Sequence, residues 1–231
     1  INTIATDDVI NAAEKGANLT LSGTTTNVEP GQTVTVTFGG KNYTASVASD
    51  GSWSATVPAA DLALLTDGSA SAQASVSNIN GNSASAVHNY SVDSSAPTII
   101  INTVASDNIV NASEADAGVT VSGTTTAEAG QIVTITLNSP TVQTYQATVQ
   151  ADGSWSINIP AADLAALTDG SHTLTATVND KAGNPASTTH NLAVDLTVPV
   201  LTINTIAGDD IINAAEHGQA LVISGSSTGG E

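Results

Sequence analysis

The sequence predicts an all-β chain of tandem sandwich domains, each of about seven short antiparallel strands, strung end to end as an elongated rod. Three observations predict it: a repeat at about 100 residues, apolar residues alternating with Thr and Ser, and turn-forming pairs that punctuate the alternation. "DGSW" runs from Asp50 to Trp53 and again from Asp152 to Trp155, and "PAADLALLTDGS" at Pro58 returns as "PAADLAALTDGS" at Pro160. "INTI" at Ile1, "INTV" at Ile101 and "INTI" at Ile203 open three units, followed by "LSGTTT", "VSGTTT" and "ISGSST". The expected division is a repeat over residues 1–93 that lacks its first residues, a complete repeat over 94–195, and the first two strands of a third over 196–231. The chain reads as a window on a longer array. Its period exceeds the ~20–50 residues of a solenoid coil and suits self-contained domains.

Each element has its own signal. The run "TIIINTV" reads as the first strand of a unit, leaving the junction with the unit before it. "QTVTVTF" puts Val34, Val36 and Phe38 on one face and Thr33, Thr35 and Thr37 on the other. "NYTASV" offers Tyr43, Ala45 and Val47, "SWSATV" offers Trp53, Ala55 and Val57, and "SASAQASV" offers Ala70, Ala72, Ala74 and Val76. Period two with Thr and Val enrichment marks half-buried strands. Pro30-Gly31, Gly39-Gly40, Asp50-Gly51, Asp67-Gly68 and Asn80-Gly81 supply the turns. Only "PAADLALL" reads as helical, one or two turns between strands. In the second unit "SPTVQTY" replaces "GGKNY" and lengthens one hairpin. Seven short strands in so few residues suggest an immunoglobulin-like sandwich.

Charge narrows the partners. Three Lys and no Arg face 21 carboxylates, for a net charge of -18. Such a chain repels the phosphates of nucleic acid and anionic lipid surfaces. No apolar run approaches the ~18 residues that insert across a bilayer. There is no Cys, so no disulfide framework exists. The partner that fits is cationic and small, a metal ion.

The carboxylates lie in loops and at strand ends. Alternating strand directions place the loop after the first strand at the far, C-terminal end of each unit. That loop is "DDVINAAE", "DNIVNASE" and "DDIINAAE" in turn. Asp7, Asp8, Asn11 and Glu14 recur as Asp107, Asn108, Asn111 and Glu114, and as Asp209, Asp210, Asn213 and Glu216. Asp67 and Asp169 come from the neighbouring loop. Oxygen donors without His or Cys suit Ca²⁺ better than Zn²⁺, and better than Mg²⁺, which keeps its waters. A second cluster is expected at the N-terminal end, where Asp93 of one unit meets Asn179, Asp180 and Asn184 of the next. An ion shared there would lock the joint, and Asp195 closes the second unit as Asp93 closes the first. Pro97 and Pro199 stiffen both joints.

No nucleophile with a base and an orienting acid is apparent, and the chain is expected not to be an enzyme. His88 and His190 share strand parity with Val92 and Val194 and are expected to face inward as hydrogen-bonded core residues. Trp53 and Trp155 are expected to fill the core.

"VDSSAPTIIINTVASDNIVNASE", "EAGQIVTITL" and "ADGSWSINIPAADLAALTDGSHTLTATVNDKAGN" together resemble the bacterial Ig-like repeats of giant type I-secreted, RTX-type biofilm-associated surface adhesins. The resemblance covers essentially the whole chain. It implies a calcium-binding stalk on the bacterial cell surface, which projects a distal adhesive domain for attachment and biofilm formation. The carry-over of ligands is firmest for Asp7, Glu14, Asp107, Glu114, Asp209 and Glu216. Two other readings stay open: a non-catalytic spacer or carbohydrate-binding module of a secreted enzyme, and an ice-binding surface suggested by Thr24-Thr25-Thr26.

Overall fold

The structure, a computed structural model, describes residues 1–138 and 142–229. The lengthened hairpin at Ser139, Pro140 and Thr141 lies outside the described residues. Two sandwiches follow one another, and a two-stranded piece closes the chain.

The first sandwich holds β1 (Val9–Ile10), α1 (Ala12–Lys15), β2 (Leu19–Thr24), β3 (Thr33–Phe38), β4 (Lys41–Ser46), β5 (Ser52–Val57), α2 (Ala59–Leu62), β6 (Gly68–Ser77) and β7 (Ser83–Val92). One sheet is β2 with β5, and the other runs β1-β7-β6-β3-β4. The second sandwich holds β8 (Ile99–Ile101), β9 (Ile109–Asn111), α3 (Ala112–Ala117), β10 (Val119–Thr125), β11 (Ile132–Asn138), β12 (Gln143–Thr148), β13 (Ser154–Ile159), α4 (Ala161–Leu164), β14 (Gly170–Asn179) and β15 (Pro185–Asp195). Its sheets are β13-β10-β8 and β12-β11-β14-β15-β9. The chain is all-β and immunoglobulin-like, as the alternation predicts.

The opening segment changes sheets. β8 pairs antiparallel with β10, and β9 then runs parallel to β15 with Val110 opposite Val194. Between them Ala105, Ser106 and Asn108 take positive φ. That left-handed backbone carries the chain across the sandwich at a steric cost. β1 repeats the parallel pairing on β7.

Most of the alternating residues are the core, though Ala70 is exposed and Tyr43 and Val76 are half-buried. Val34, Val36, Phe38, Trp53, Val57 and Ala72 are buried in the first sandwich, and Val133, Ile135, Leu137, Trp155, Ile159 and Leu174 in the second. Burial of each large aliphatic side chain contributes about 1.5–3 kcal/mol. Gly123 explains one motif residue, since a Cβ there would fall on the Ile100 carbonyl and within 2.5 Å of the Trp155 ring. Gly39 and Gly40, both at positive φ, close the tight β3–β4 hairpin.

The last piece pairs β16 (Val200–Ile203) with β17 (Gly225–Thr228). In the second sandwich Val119 to Thr124 pair with β13, while only Gly123 to Thr125 pair with β8. Among the described residues the third piece pairs only β16 with β17, from Gly225 on, and Leu201, Val222 and Ile223 are exposed.

Candidate functional site at the repeat ends

The C-terminal end of each sandwich is built on a capped helix. Asn11 Oδ1 accepts from Glu14 N at 3.0 Å, and Asn11 N donates to Glu14 Oε2 at 3.0 Å. This reciprocal capping box recurs at Asn111 with Glu114, and the same pair of bonds joins Asn213 and Glu216. Asp7, Asp107 and Asp209 each accept from the amide two residues on. Asp8, Asn108 and Asp210 reach back to the amides of Ile4, Val104 and Ile206, closing the left-handed turn. The Ile4 amide and the His88 ring hold the Asp8 carboxyl below its ordinary range.

The sequence read α1 and α3 as loop. Asn-x-x-Glu is the signal that finds them, because it caps a helix whether or not the same oxygens take a metal. The histidines also differ from expectation. Instead of packing inside, His88 and His190 are half-buried and pin the acidic loop, with Nε2 2.7 Å from Asp8 Oδ1 and from Asn108 Oδ1. Trp53 and Trp155 are buried as expected.

The second cluster spans the joint. Asn184 Oδ1 accepts from Ala12 N of the first repeat at 2.8 Å, and its Nδ2 donates to the Asp93 carbonyl oxygen at 2.9 Å. Asp180 sits beneath, accepting from Asn184 N at 2.8 Å and from Nδ2 at 2.9 Å. Asn184 and Asp180 are buried. Asn179 is exposed at the end of β14, and the Asp93 carboxylate accepts from Ser95 N rather than from this group. Beside them, Asp67 accepts from both Ser94 groups and from the Ser95 hydroxyl. Those hydroxyls, Ser95 first, hold the Asp67 carboxyl below its ordinary range. Asp169 is held low by the Thr197 hydroxyl and the Leu196 amide, and Asp195 accepts from Thr197 N. Lys15 Nζ donates to the Leu65 carbonyl at 2.7 Å and to Ser94 Oγ at 3.1 Å. The sequence reading passed over Lys15, since nothing in its spacing marks a lysine that binds a carbonyl.

The donor set is oxygen only, which is the hard chemistry Ca²⁺ takes. Among the described residues, however, no three His, Asp or Glu side chains converge on one point. As placed, one oxygen of each recurring loop carboxylate faces a backbone amide.

Residues 95–196 match the bacterial Ig-like domain family. A comparison with curated proteins gave no match. Among solved structures, a Ca²⁺-stabilized adhesin that helps an Antarctic bacterium reach out and bind ice is 38% identical, with 99% of this chain and 56% of that one covered and a TM-score of 0.56. A structure bearing on host cell surface retention of a 1.5-MDa bacterial ice-binding adhesin is 36% identical, covers 99% and 74%, and has a TM-score of 0.54. The chain belongs to the bacterial Ig-like repeats of large adhesins. It spans 56% of the first adhesin structure's length. In these adhesin repeats the acidic ends and the joint coincide: α1, Asp67 and Asp93 of one repeat meet the Asn179–Asn184 turn or the linker of the next.

Proposed function

We propose that the chain is a piece of the stalk of a secreted bacterial surface adhesin, non-catalytic, with repeats at 1–93, 94–195 and 196–231 acting as extenders. The stalk projects a distal adhesive domain for attachment and biofilm formation outside the cell. The observation that carries this reading is the joint: Asn184 of the second repeat binds two backbone groups of the first, Asp67 and Lys15 of the first hold Ser94 and Ser95, and the proline linker between them is short. Buried Trp53 and Trp155 leave a sugar-binding face little aromatic surface, which weighs against the module reading.

Calcium stabilisation belongs to the same proposal. Twenty-one carboxylates with three lysines repel one another unless a cation intervenes, and the acids concentrate at the repeat ends. Asp7, Asp8, Asn11 and Glu14 with Asp67, and their counterparts, are the donors we assign. Asp93 with Asn179, Asp180 and Asn184 is the second candidate group. With affinities of ~0.1–1 mM, typical of extracellular modules, about 10 mM Ca²⁺ adds about 1.4–2.7 kcal/mol per site. Thermal melting in EDTA and in Ca²⁺ checks this. The melting temperature should rise with Ca²⁺, and an unchanged value overturns the calcium reading.

A further inference from the structure

We propose that the open edge of β15, from Ser187 to Asn191, docks against the same edge of a second copy of this chain, with the two strands paired antiparallel. The proposal rests on the reading of the chain as a stalk: stalks from facing cells run antiparallel, and this pairing interlocks them.

The backbone defines the edge. β14 pairs with β15 from Pro185 to Val194, while β9 covers the other side of β15 only at Ala193, Val194 and Asp195. The Ala193 amide donates to the Asn108 carbonyl, away from β14. Backbone groups of a strand paired antiparallel alternate between its two sides, so Asn191, Thr189 and Ser187 turn their N–H and C=O groups the same way. Among the described residues no strand takes them, and all three residues are exposed. Pro185 falls on that side too, where a missing N–H removes no ladder bond. β7 repeats the pattern: Ser91 and Asp93 donate towards β1, and Asn89, Val87 and Ser85 follow in step, exposed.

A free edge is ordinarily guarded by charge, proline or a covering element. The opposite edge of each five-stranded sheet has such a guard. Lys41 of β4 pairs with Asp61 of α2, which also accepts from Tyr43, and Tyr145 of β12 donates to Asp163 of α4. The runs Ser83 to Asn89 and Ala186 to Leu192 hold no Asp, Glu, Lys or Arg. In a chain of net charge -18, a like-charged partner approaches such a run at the lowest electrostatic cost. Antiparallel pairing centred on Thr189 is also self-complementary. Each Thr189 faces the other, each Ser187 faces Asn191 of the second copy, and main-chain hydrogen bonds extend the sheet from one molecule to the next.

The test uses the full chain in millimolar Ca²⁺, with sedimentation equilibrium over a concentration series and amide exchange by NMR. The average mass should climb from monomer towards dimer with concentration, and further in added NaCl, which screens the carboxylates. The Ser187, Thr189 and Asn191 amides should exchange more slowly as the chain is concentrated. The Gln146 amide, which faces out from β12 by the same alternation, should not change. Thr189→Pro removes the central donor of both copies and spares the β14 ladder, so association should weaken about tenfold. Gln146→Pro makes the same change at the guarded edge and should leave association as it was. A mass that stays monomeric at every concentration overturns the pairing. So does a dimer that survives Thr189→Pro, held for instance by the exposed β16–β17 piece. If Thr189→Pro does not fold, the wild-type exchange decides: slowing at all three alternate amides supports the pairing, and no slowing overturns it. A chain that melts normally with Ca²⁺ but stays monomeric removes the pairing and leaves the stalk and calcium readings standing.

Discussion

The turn between the last two strands occurs in both sandwiches, and only one copy has a described repeat to rest on. In the first sandwich Asn78 N donates to the Asn82 carbonyl and Asn82 N to Asn78 Oδ1. In the second, Asp180 and Asn184 make the same two bonds. The turn is thus set by its own residues. Burial is not: Asn82 is exposed and Asn184 is buried. A neighbour adds burial to a turn already formed, so docking a repeat orders little backbone and loses little conformational entropy.

A second contrast sharpens this. β8 pairs with β10 in the second sandwich, with Ile101 opposite Gly123, while among the described residues Gly23 is paired only with Trp53 of β5. Val178 is buried and its counterpart Val76 is half-buried. The largest effect we expect follows from it. Gly123→Ala must displace both the Trp155 ring and the Ile100 carbonyl of β8, while the three atoms nearest a Cβ at Gly23 all belong to the Trp53 ring. Overpacking against backbone should cost about 3 kcal/mol and against a side chain alone about 1–2 kcal/mol. Urea denaturation of each variant, followed by the fluorescence of the two Trp, measures both. Equal losses would show that the ring, not the strand, sets the constraint.

The strands, both sheets and the inward residues were legible because period two and turn pairs report burial directly. The Gly–Trp contact was not, since Gly123 and Trp155 meet across a strand pair that no local pattern announces. The site was legible in part. Recurrence at three places marked Asp7, Asn11 and Glu14, but recurrence does not separate a ligand from a helix cap, and Asn11 with Glu14 forms a cap. Asn184 was picked out as a joint residue, while its partners, Ala12 N and the Asp93 carbonyl, are backbone groups that any side chain could have carried. Position in the fold, not residue type, made them partners.

A smaller effect should separate the two turns. Asp180→Asn gives the second turn the residue of the first. An amide there keeps one acceptor for Asn184 N but sets a donor against Asn184 Nδ2, so about 1 kcal/mol should be lost. Asn78→Asp in the first turn, which is exposed, should change stability by less than about 0.5 kcal/mol. Thermal melts of the two variants decide it. A loss at Asn78→Asp as large as at Asp180→Asn would mean that the acid acts within the turn and not through the joint.

The smallest effect concerns acid and the two linkers. Asp67 and Asp169 occupy matching positions, and hydroxyls hold both carboxyls below their ordinary range. A folded value lowered beneath the ~3.9 of an unfolded Asp contributes stability above that pH, and the contribution is lost as pH falls through the folded value. Both sites therefore predict softening below about pH 4. Their consequences differ. Asp67 fastens Ser94 and Ser95, which lead into a complete sandwich, and Lys15 binds the same Ser94 hydroxyl. Asp169 fastens Leu196 and Thr197, which lead into an exposed two-stranded piece. Asp67→Asn should flatten the acid limb of a melting-temperature titration, and Lys15→Ala should do so more weakly. Asp169→Asn should leave that limb almost unchanged, because the piece it tethers contributes little to cooperative unfolding. An Asp169→Asn effect equal to that of Asp67→Asn would place the acid sensitivity inside each sandwich, where the loop before β6 or β14 begins, and not in the linker that leads to the next repeat.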